Sequence, residues 1–231
     1  MKTNIFFSLC LCVTTYYIQA QQDTLLYKQG KEQLDKKNYK KAIDCFTQAI
    51  GLNKKYVEAY YKRGDCFYEQ KKPKKALKDY NMTIYLKPKD SDNYCAAGVV
   101  YAMMNNKEEA MMNYNKAIKY DSLNAAAWNC RASIFAESQE CIKAEHDYLK
   151  AIKYGKKEEI GLYYTNLGEM YLEMKRYKNA IVELTHAIEL NWPDKDIYLN
   201  RAKAYEAEGK TKEVEEDRKK AKEFKSGKYF Q

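Results

Sequence analysis

The 231-residue sequence has little glycine and little proline, with nine Gly and three Pro. A protein with many strands needs these residues at its turns, so their scarcity argues against a sheet fold. The rest of the composition is rich in good helix formers, among them Ala, Leu, Glu, Lys and Met. Because 45% of the residues are apolar, the chain can bury a continuous core. An all-α fold is therefore the first expectation.

Residue types that carry catalysis or bind metals are also few. The chain has two histidines, His146 and His186, and it contains neither a phosphate-binding glycine motif nor an H-E-x-x-H motif. Five cysteines lie beyond residue 20, an odd number without C-x-x-C spacing, which favours buried thiols over a disulfide framework. We therefore expect no enzyme activity, no catalytic residues, no cofactor and no metal site.

The first 20 residues have the features of a secretory signal peptide. Lys2 precedes an apolar stretch from Ile5 to Val13, and Ala20 stands at a candidate cleavage site. The apolar stretch is shorter than the roughly 20 residues that a membrane-spanning helix needs. The sequence thus predicts a signal peptide over residues 1–20 and a secreted or periplasmic protein. An uncleaved membrane anchor is the alternative.

Small residues recur along the rest of the chain in two series with the same spacing. The successive distances are 34, 34, 34, 36 and 34 residues. The first series is Gly30, Gly64, Gly98, Ala132, Gly168 and Ala202. The second is Ala42, Ala76, Ala110, Ala144, Ala180 and Val214. Two independent series with one period indicate six structural repeats.

Aromatic residues keep fixed distances from these small residues. Tyr60 stands four before Gly64 and Phe67 three after it, so the three share one face of a helix. A second stripe follows in each repeat, as in Ala42 and Phe46. Each repeat is therefore predicted to be two amphipathic helices joined by a tight turn.

This order of residues resembles the tetratricopeptide repeat family. One repeat carries it as Tyr94, Ala97-Gly98, Tyr101, Ala110, Tyr114 and Ala117. The resemblance covers about residues 23 to 226 and implies a right-handed α-solenoid of stacked antiparallel helix hairpins with a 34-residue period. The predicted repeat domain spans residues 21–231. Its six units are expected near 23–56, 57–90, 91–124, 125–160, 161–194 and 195–228.

Three local features predict where helices begin and end. Gly51 and Gly155 follow second helices, where a left-handed cap is expected. Pro73 is expected in the first turn of a helix. The two extra residues near Gly155 to Ile160 suggest a local break after the fourth unit.

The resemblance also implies a binding surface, here called the inner face, formed by first-helix positions that point away from the packed side. In the six units these positions hold ten acidic residues and only two basic ones, although the chain beyond residue 20 has 40 basic and 32 acidic residues. A basic peptide or protein is therefore the expected partner. The predicted partner-binding residues are Tyr27, Tyr61, Asp65, Tyr68, Glu69, Asn129, Glu137, Glu169 and Glu173. Solvated acids at helix starts are the alternative reading of the same positions.

Lysines gather instead in the turns within the units, as in Lys36-Lys37 and Lys71-Lys72. Stacked turns would form a basic edge able to contact an anionic membrane or cell-wall polymer. Nucleic acid is not expected as a partner, because export removes the chain from most of it. The predicted function is an exported protein-interaction scaffold. The alternative is a surface-associated structural element. The sequence does not give the oligomeric state.

Overall fold

The computed structural model describes residues 21–190, 192 and 194–224, so the predicted signal peptide lies outside the described residues. All regular structure in this part of the chain is α-helical. The first helix, α1, covers residues 21–35. The others are α2 (Tyr39–Leu52), α3 (Val57–Glu69), α4 (Pro73–Leu86), α5 (Ser91–Met103), α6 (Lys107–Tyr120), α7 (Ala125–Glu137), α8 (Cys141–Tyr154), α9 (Lys157–Glu173), α10 (Tyr177–Glu189), α11 (Lys195–Ala207) and α12 (Thr211–Glu223). None of the described helices is long and apolar enough to cross a membrane.

Consecutive helices pair into hairpins, numbered 1 (α1–α2) to 6 (α11–α12). The chain divides into two compact units, Met1–Asp121 and Ser122–Gln231. In the first unit α2 packs on α3 and α4 on α5, and in the second α8 packs on α9 and α10 on α11. Each unit is therefore a stack of hairpins, and the predicted all-α helical repeat solenoid is confirmed.

The small residues of the first helices accommodate a large side chain from the second helix of the same hairpin. A Cβ atom on Gly98 would lie 2.5 Å from Cε1 of Tyr114, and one on Gly64 would lie 2.8 Å from Cε1 of Tyr80. Both tyrosines are almost fully buried. Glycine is thus needed where the facing ring approaches the helix backbone.

The turns within the hairpins use left-handed backbone. Five non-glycine residues have φ between 56° and 60°, and Gly209 has φ 73°. The five are Lys37, Lys71, Asn105, Gln139 and Lys175. Such a conformation is unfavourable for residues other than glycine and, to a lesser degree, asparagine.

The predicted left-handed caps at Gly51 and Gly155 are wrong. Gly51 lies inside α2, and Gly155 has extended backbone with φ −68° and ψ 152°. The second helices α2 and α6 likewise end on extended residues, Asn53 and Asp121. The chain has to leave these helices in extended form to start the next hairpin. Pro73 is at the start of α4, as predicted.

The two extra residues after hairpin 4 lengthen a helix. Helix α9 has 17 residues, whereas α7 and α11 have 13 each. Only Gly155 and Lys156 separate α8 from α9. The insertion is therefore absorbed as an additional turn at the start of α9, where a break had been expected.

Hairpins 2, 4 and 6 share a buried ion pair that the sequence analysis did not predict. In each, an arginine of the first helix makes two hydrogen bonds to an aspartate sixteen residues later. The pairs are Arg63–Asp79, Arg131–Asp147 and Arg201–Asp217. Two of the arginines also donate to a threonine of the preceding hairpin, Arg63 to Thr47 and Arg201 to Thr185. The arginine thus joins the two helices of its hairpin, and in these two cases it also joins neighbouring hairpins.

Candidate partner-binding surface

In the first unit the three predicted tyrosines are half-buried in the stack. The Tyr27 ring lies 5.7 Å from that of Phe46 and 5.1 Å from that of Tyr56. The Tyr61 ring meets Tyr80 edge-on at 5.4 Å, and burial raises the pKa of the Tyr61 hydroxyl. These rings therefore contribute to packing while part of each stays accessible on the inner face.

The two predicted acids of the first unit have different environments. Asp65 accepts a hydrogen bond of 2.8 Å from the hydroxyl of buried Tyr80 and a second of 2.9 Å from Lys62. Glu69 is exposed and accepts a long hydrogen bond of 3.4 Å from the Tyr39 hydroxyl. The Asp65 carboxylate is thus part of the internal structure of hairpin 2, whereas Glu69 lies at the surface.

In the second unit three predicted acids surround one cavity. The cavity has a volume of about 190 Å³ and lies between α7, α8 and α9. Glu137, Glu169 and Glu173 line it, together with Ser133, whose hydroxyl lies 3.2 Å from that of Tyr148. The fold therefore brings together three carboxylates from two first helices.

Glu169 has the least favourable surroundings for a negative charge among these acids. Burial raises the pKa of its carboxyl, and the nearby charges of Asp194 and Glu173 raise it further. A hydrogen bond of 2.9 Å from the Asn200 amide opposes this shift. The ionised carboxylate is thus held at an energetic cost, which a cationic ligand would reduce.

Glu169 also lines a second pocket of about 430 Å³ between α9 and α11. This pocket contains Asp196 and two basic residues, Lys203 and Arg218. Arg218 is paired with Glu206 at 2.8 Å, and Lys203 donates to Asn200 at 3.0 Å. The inner face of the second unit is consequently an acidic surface that continues from one pocket to the next.

Asn129 is the predicted residue least available to a partner. It is buried, and its side-chain oxygen accepts a hydrogen bond of 2.9 Å from the Asn166 amide. It connects hairpin 4 to hairpin 5. Asn166 and Asn200, which the sequence analysis missed, occupy the same repeat position 34 residues apart, and this spacing is the signal that could have identified them.

Comparison with family models gives matches over three segments. Models described as tetratricopeptide repeat match residues 27–91, 91–122 and 162–191. Together these segments cover more than half of the chain. A comparison with curated proteins gave no match.

Several solved structures share the fold. The Cut9–Hcn1 hetero-tetramer of the APC/C gives a TM-score of 0.80 at 13% identity, covering 93% of this chain and 44% of that one. The type IV pilus biogenesis factor PilW gives 0.78 at 15% identity, covering 90% and 96%. A tetratricopeptide repeat protein from Parabacteroides merdae gives 0.70 at 19% identity, covering 89% and 80%. At these identities the likeness shows the fold alone.

Proposed function

The chain belongs to the tetratricopeptide repeat family, and from this premise we propose that it is an exported scaffold that holds a protein partner on its inner face. Tetratricopeptide repeats serve protein–protein interaction and are typically without enzyme activity. The proposal is therefore of a binding role alone.

The carboxylates of Glu137, Glu169 and Glu173 around one cavity are the observation that carries this proposal. Carboxylates in a partly dehydrated recess favour ligands with Lys or Arg side chains, because the opposite charge offsets the cost of burial. The neighbouring basic residues Lys203 and Arg218 have partners within the protein. The proposed partner of the second unit is thus a basic segment of a protein.

The first unit adds aromatic surface to the proposed interaction. Tyr27, Tyr61 and Tyr68 are half-buried, so binding would immobilise little additional side-chain freedom. Tyrosine is enriched among residues that dominate binding energy at interfaces. Glu69 supplies an exposed acid beside Tyr68.

Export is proposed from the signal-like character of residues 1–20. One structural neighbour is a type IV pilus biogenesis factor, which agrees with a role outside the cytoplasm without identifying one. N-terminal mass spectrometry of the protein from envelope and medium fractions tests this part. A first residue at Gln21 supports export with cleavage, and intact Met1 in a cytoplasmic fraction contradicts it.

The binding proposal is tested by charge reversal at exposed acids. Asp65 is unsuitable because its carboxylate accepts from Tyr80 inside the hairpin. We would replace Glu137→Lys and Glu173→Lys together, and compare the catch from envelope extract with that of wild type. The control, Glu189→Lys with Glu215→Lys, reverses two exposed acids on second helices of the same unit.

A partner retained by wild type and the control but lost by the inner-face variant supports the proposal. Its binding segment should contain Lys or Arg, and affinity for the isolated segment should fall on the order of tenfold or more with the variant. If wild type, inner-face variant and control capture the same proteins equally well, the inner face is not the binding surface.

A further inference from the structure

Positive charge is divided unequally between the two units. Residues 21–121 carry 20 Lys and Arg against 13 Asp and Glu, whereas residues 122–231 carry 20 against 19. The formal charges are therefore +7 and +1. Any surface that attracts anions through excess lysine is expected in the first unit.

Eight exposed lysines of this unit lie on two neighbouring turns. They form two runs, residues 36–41 and 71–75, neither of which contains an acid. The turns are adjacent because the Tyr39 hydroxyl of hairpin 1 donates to Glu69 of hairpin 2. These lysines are here called the lysine patch: Lys36, Lys37, Lys40, Lys41, Lys71, Lys72, Lys74 and Lys75.

Neighbouring side chains do not neutralise the lysine patch. Within the described part of the chain none of its members forms a salt bridge. Lys72 donates to Gln70 at 2.7 Å, and the ammonium groups of Lys71 and Lys75 lie 5.8 and 5.6 Å from aromatic ring centres. The charges thus remain available at the surface.

Most of the lysine patch is placed where it opposes folding stability. Lys40, Lys41, Lys74 and Lys75 lie in the first turns of α2 and α4, where positive charge is unfavourable and where no acid is present. Hairpin 3 has the opposite arrangement, with acids in the first turn of α6. Local stability therefore does not account for these four lysines.

The turn positions give the same result. Lys37 and Lys71 have φ 58° and 56°, a conformation that favours glycine or asparagine. The equivalent residues are Asn105 in hairpin 3 and Gly209 in hairpin 6. Residues that break local structural preferences without a stabilising contact are expected at functional surfaces.

We propose that the lysine patch docks the first unit on an anionic phospholipid surface. The patch consists of lysine alone, whereas recognition of a fixed phosphate or carboxylate geometry favours arginine. Attraction to a lipid surface needs only accumulated charge, with a contribution from each lysine near the surface. This inference is independent of the inner-face proposal, because the patch lies on the turns rather than on the inner-face positions.

The test is sedimentation of the purified protein with vesicles. Anionic vesicles of phosphatidylglycerol and phosphatidylcholine are compared with phosphatidylcholine alone at about 0.15 M salt. The patch variant carries Lys40→Gln, Lys41→Gln, Lys74→Gln and Lys75→Gln. The control carries Lys54→Gln, Lys55→Gln, Lys89→Gln and Lys119→Gln, four exposed lysines at the other end of the hairpins. All three proteins share residues 1–20, so any contribution of that segment cancels.

Wild type and control are expected to bind anionic vesicles, and the patch variant to bind on the order of 100-fold more weakly. The melting temperature of the patch variant should stay level or rise, which separates lost binding from misfolding. An inner-face variant, Glu137→Lys with Glu173→Lys, should bind vesicles at least as well as wild type.

Three results would overturn the proposal. Equal losses in the patch variant and the control would show that net charge alone is responsible. Equal sedimentation of wild type with anionic and neutral vesicles would remove the electrostatic basis. Stronger patch-dependent binding to a single-stranded oligonucleotide than to anionic vesicles would assign the patch to nucleic acid.

Discussion

The guanidinium group of Arg201 and the carboxylate of Asp217 form a buried, bidentate ion pair between α11 and α12. Nε and Nη2 each donate at 2.8 Å, and the side chains of the two residues are 10% and 2% exposed. Burial lowers the pKa of Arg201, but the bonds to Asp217 more than offset this and the pKa is raised overall. The last hairpin is thus closed by a charge pair in its interior.

Removal of either partner should destabilise the protein strongly. Arg201→Ala leaves the Asp217 carboxylate buried without its main partner, and a loss of about 3–5 kcal/mol in the free energy of unfolding is expected. Asp217→Ala should cost a similar amount, since it leaves the guanidinium buried instead. Urea unfolding measured by circular dichroism checks both values.

A neighbouring exposed pair provides the comparison. Arg218 and Glu206 also lie 2.8 Å apart on the same two helices, but their side chains are 53% and 60% exposed. Glu206→Ala should therefore change stability by about 0–1 kcal/mol. The double variant Arg201→Met with Asp217→Leu should recover much of the loss, because an apolar pair can replace a buried ion pair. Similar losses at Glu206 and Asp217 would contradict this account.

The close approach of first and second helices predicts opposite effects of alanine at two glycines. Gly98→Ala places a Cβ atom 2.5 Å from Cε1 of Tyr114, which is 2% exposed and cannot move aside freely. A loss of about 1–3 kcal/mol is expected from overpacking. Gly51→Ala meets no atom within 4 Å inside α2 and should stabilise the protein by about 0.5–1 kcal/mol. Thermal unfolding of the two variants measures the contrast, and a loss at both positions would show that the ring contact is not the cause.

The repeat architecture was predictable because its determinants recur at fixed distances in the sequence. Gly64 and Tyr80 are 16 residues apart, the distance between facing positions of one hairpin. Arg63 and Asp79 have the same separation. Their pairing was missed because arginine and aspartate in an amphipathic helix are usually read as surface residues. Only the facing-position rule, applied to every residue type, would have found it.

The inner face was less predictable, because helical periodicity gives a direction and no neighbours. Asp65 and Glu173 have comparable first-helix positions, yet Asp65 is bonded to Tyr80 and Glu173 is exposed at a cavity. The difference arises from the facing second helix, which supplies a tyrosine hydroxyl to Asp65. Such tertiary partners decide which of the predicted acids can meet a ligand.

Glu169 predicts a specific dependence of stability on pH. Its carboxyl has a raised pKa in the folded protein, relative to an ordinary value of 4.5, first through burial and then through Asp194 and Glu173. A raised carboxyl pKa means that the folded state favours the protonated form. The resulting stability is fully present below the unfolded-state pKa and is lost as pH rises through the folded-state pKa.

Glu169→Gln should therefore raise the melting temperature above that pH window and have little effect below it. The glutamine carbonyl oxygen can still accept from Asn200, so the hydrogen bond is not the variable. Glu189→Gln, at an exposed site in the same unit, should change the melting temperature little at any pH. Parallel pH profiles for wild type and Glu169→Gln would contradict the assignment. A variant that is more stable at neutral pH but binds the basic partner more weakly would show that the strained charge is kept for binding.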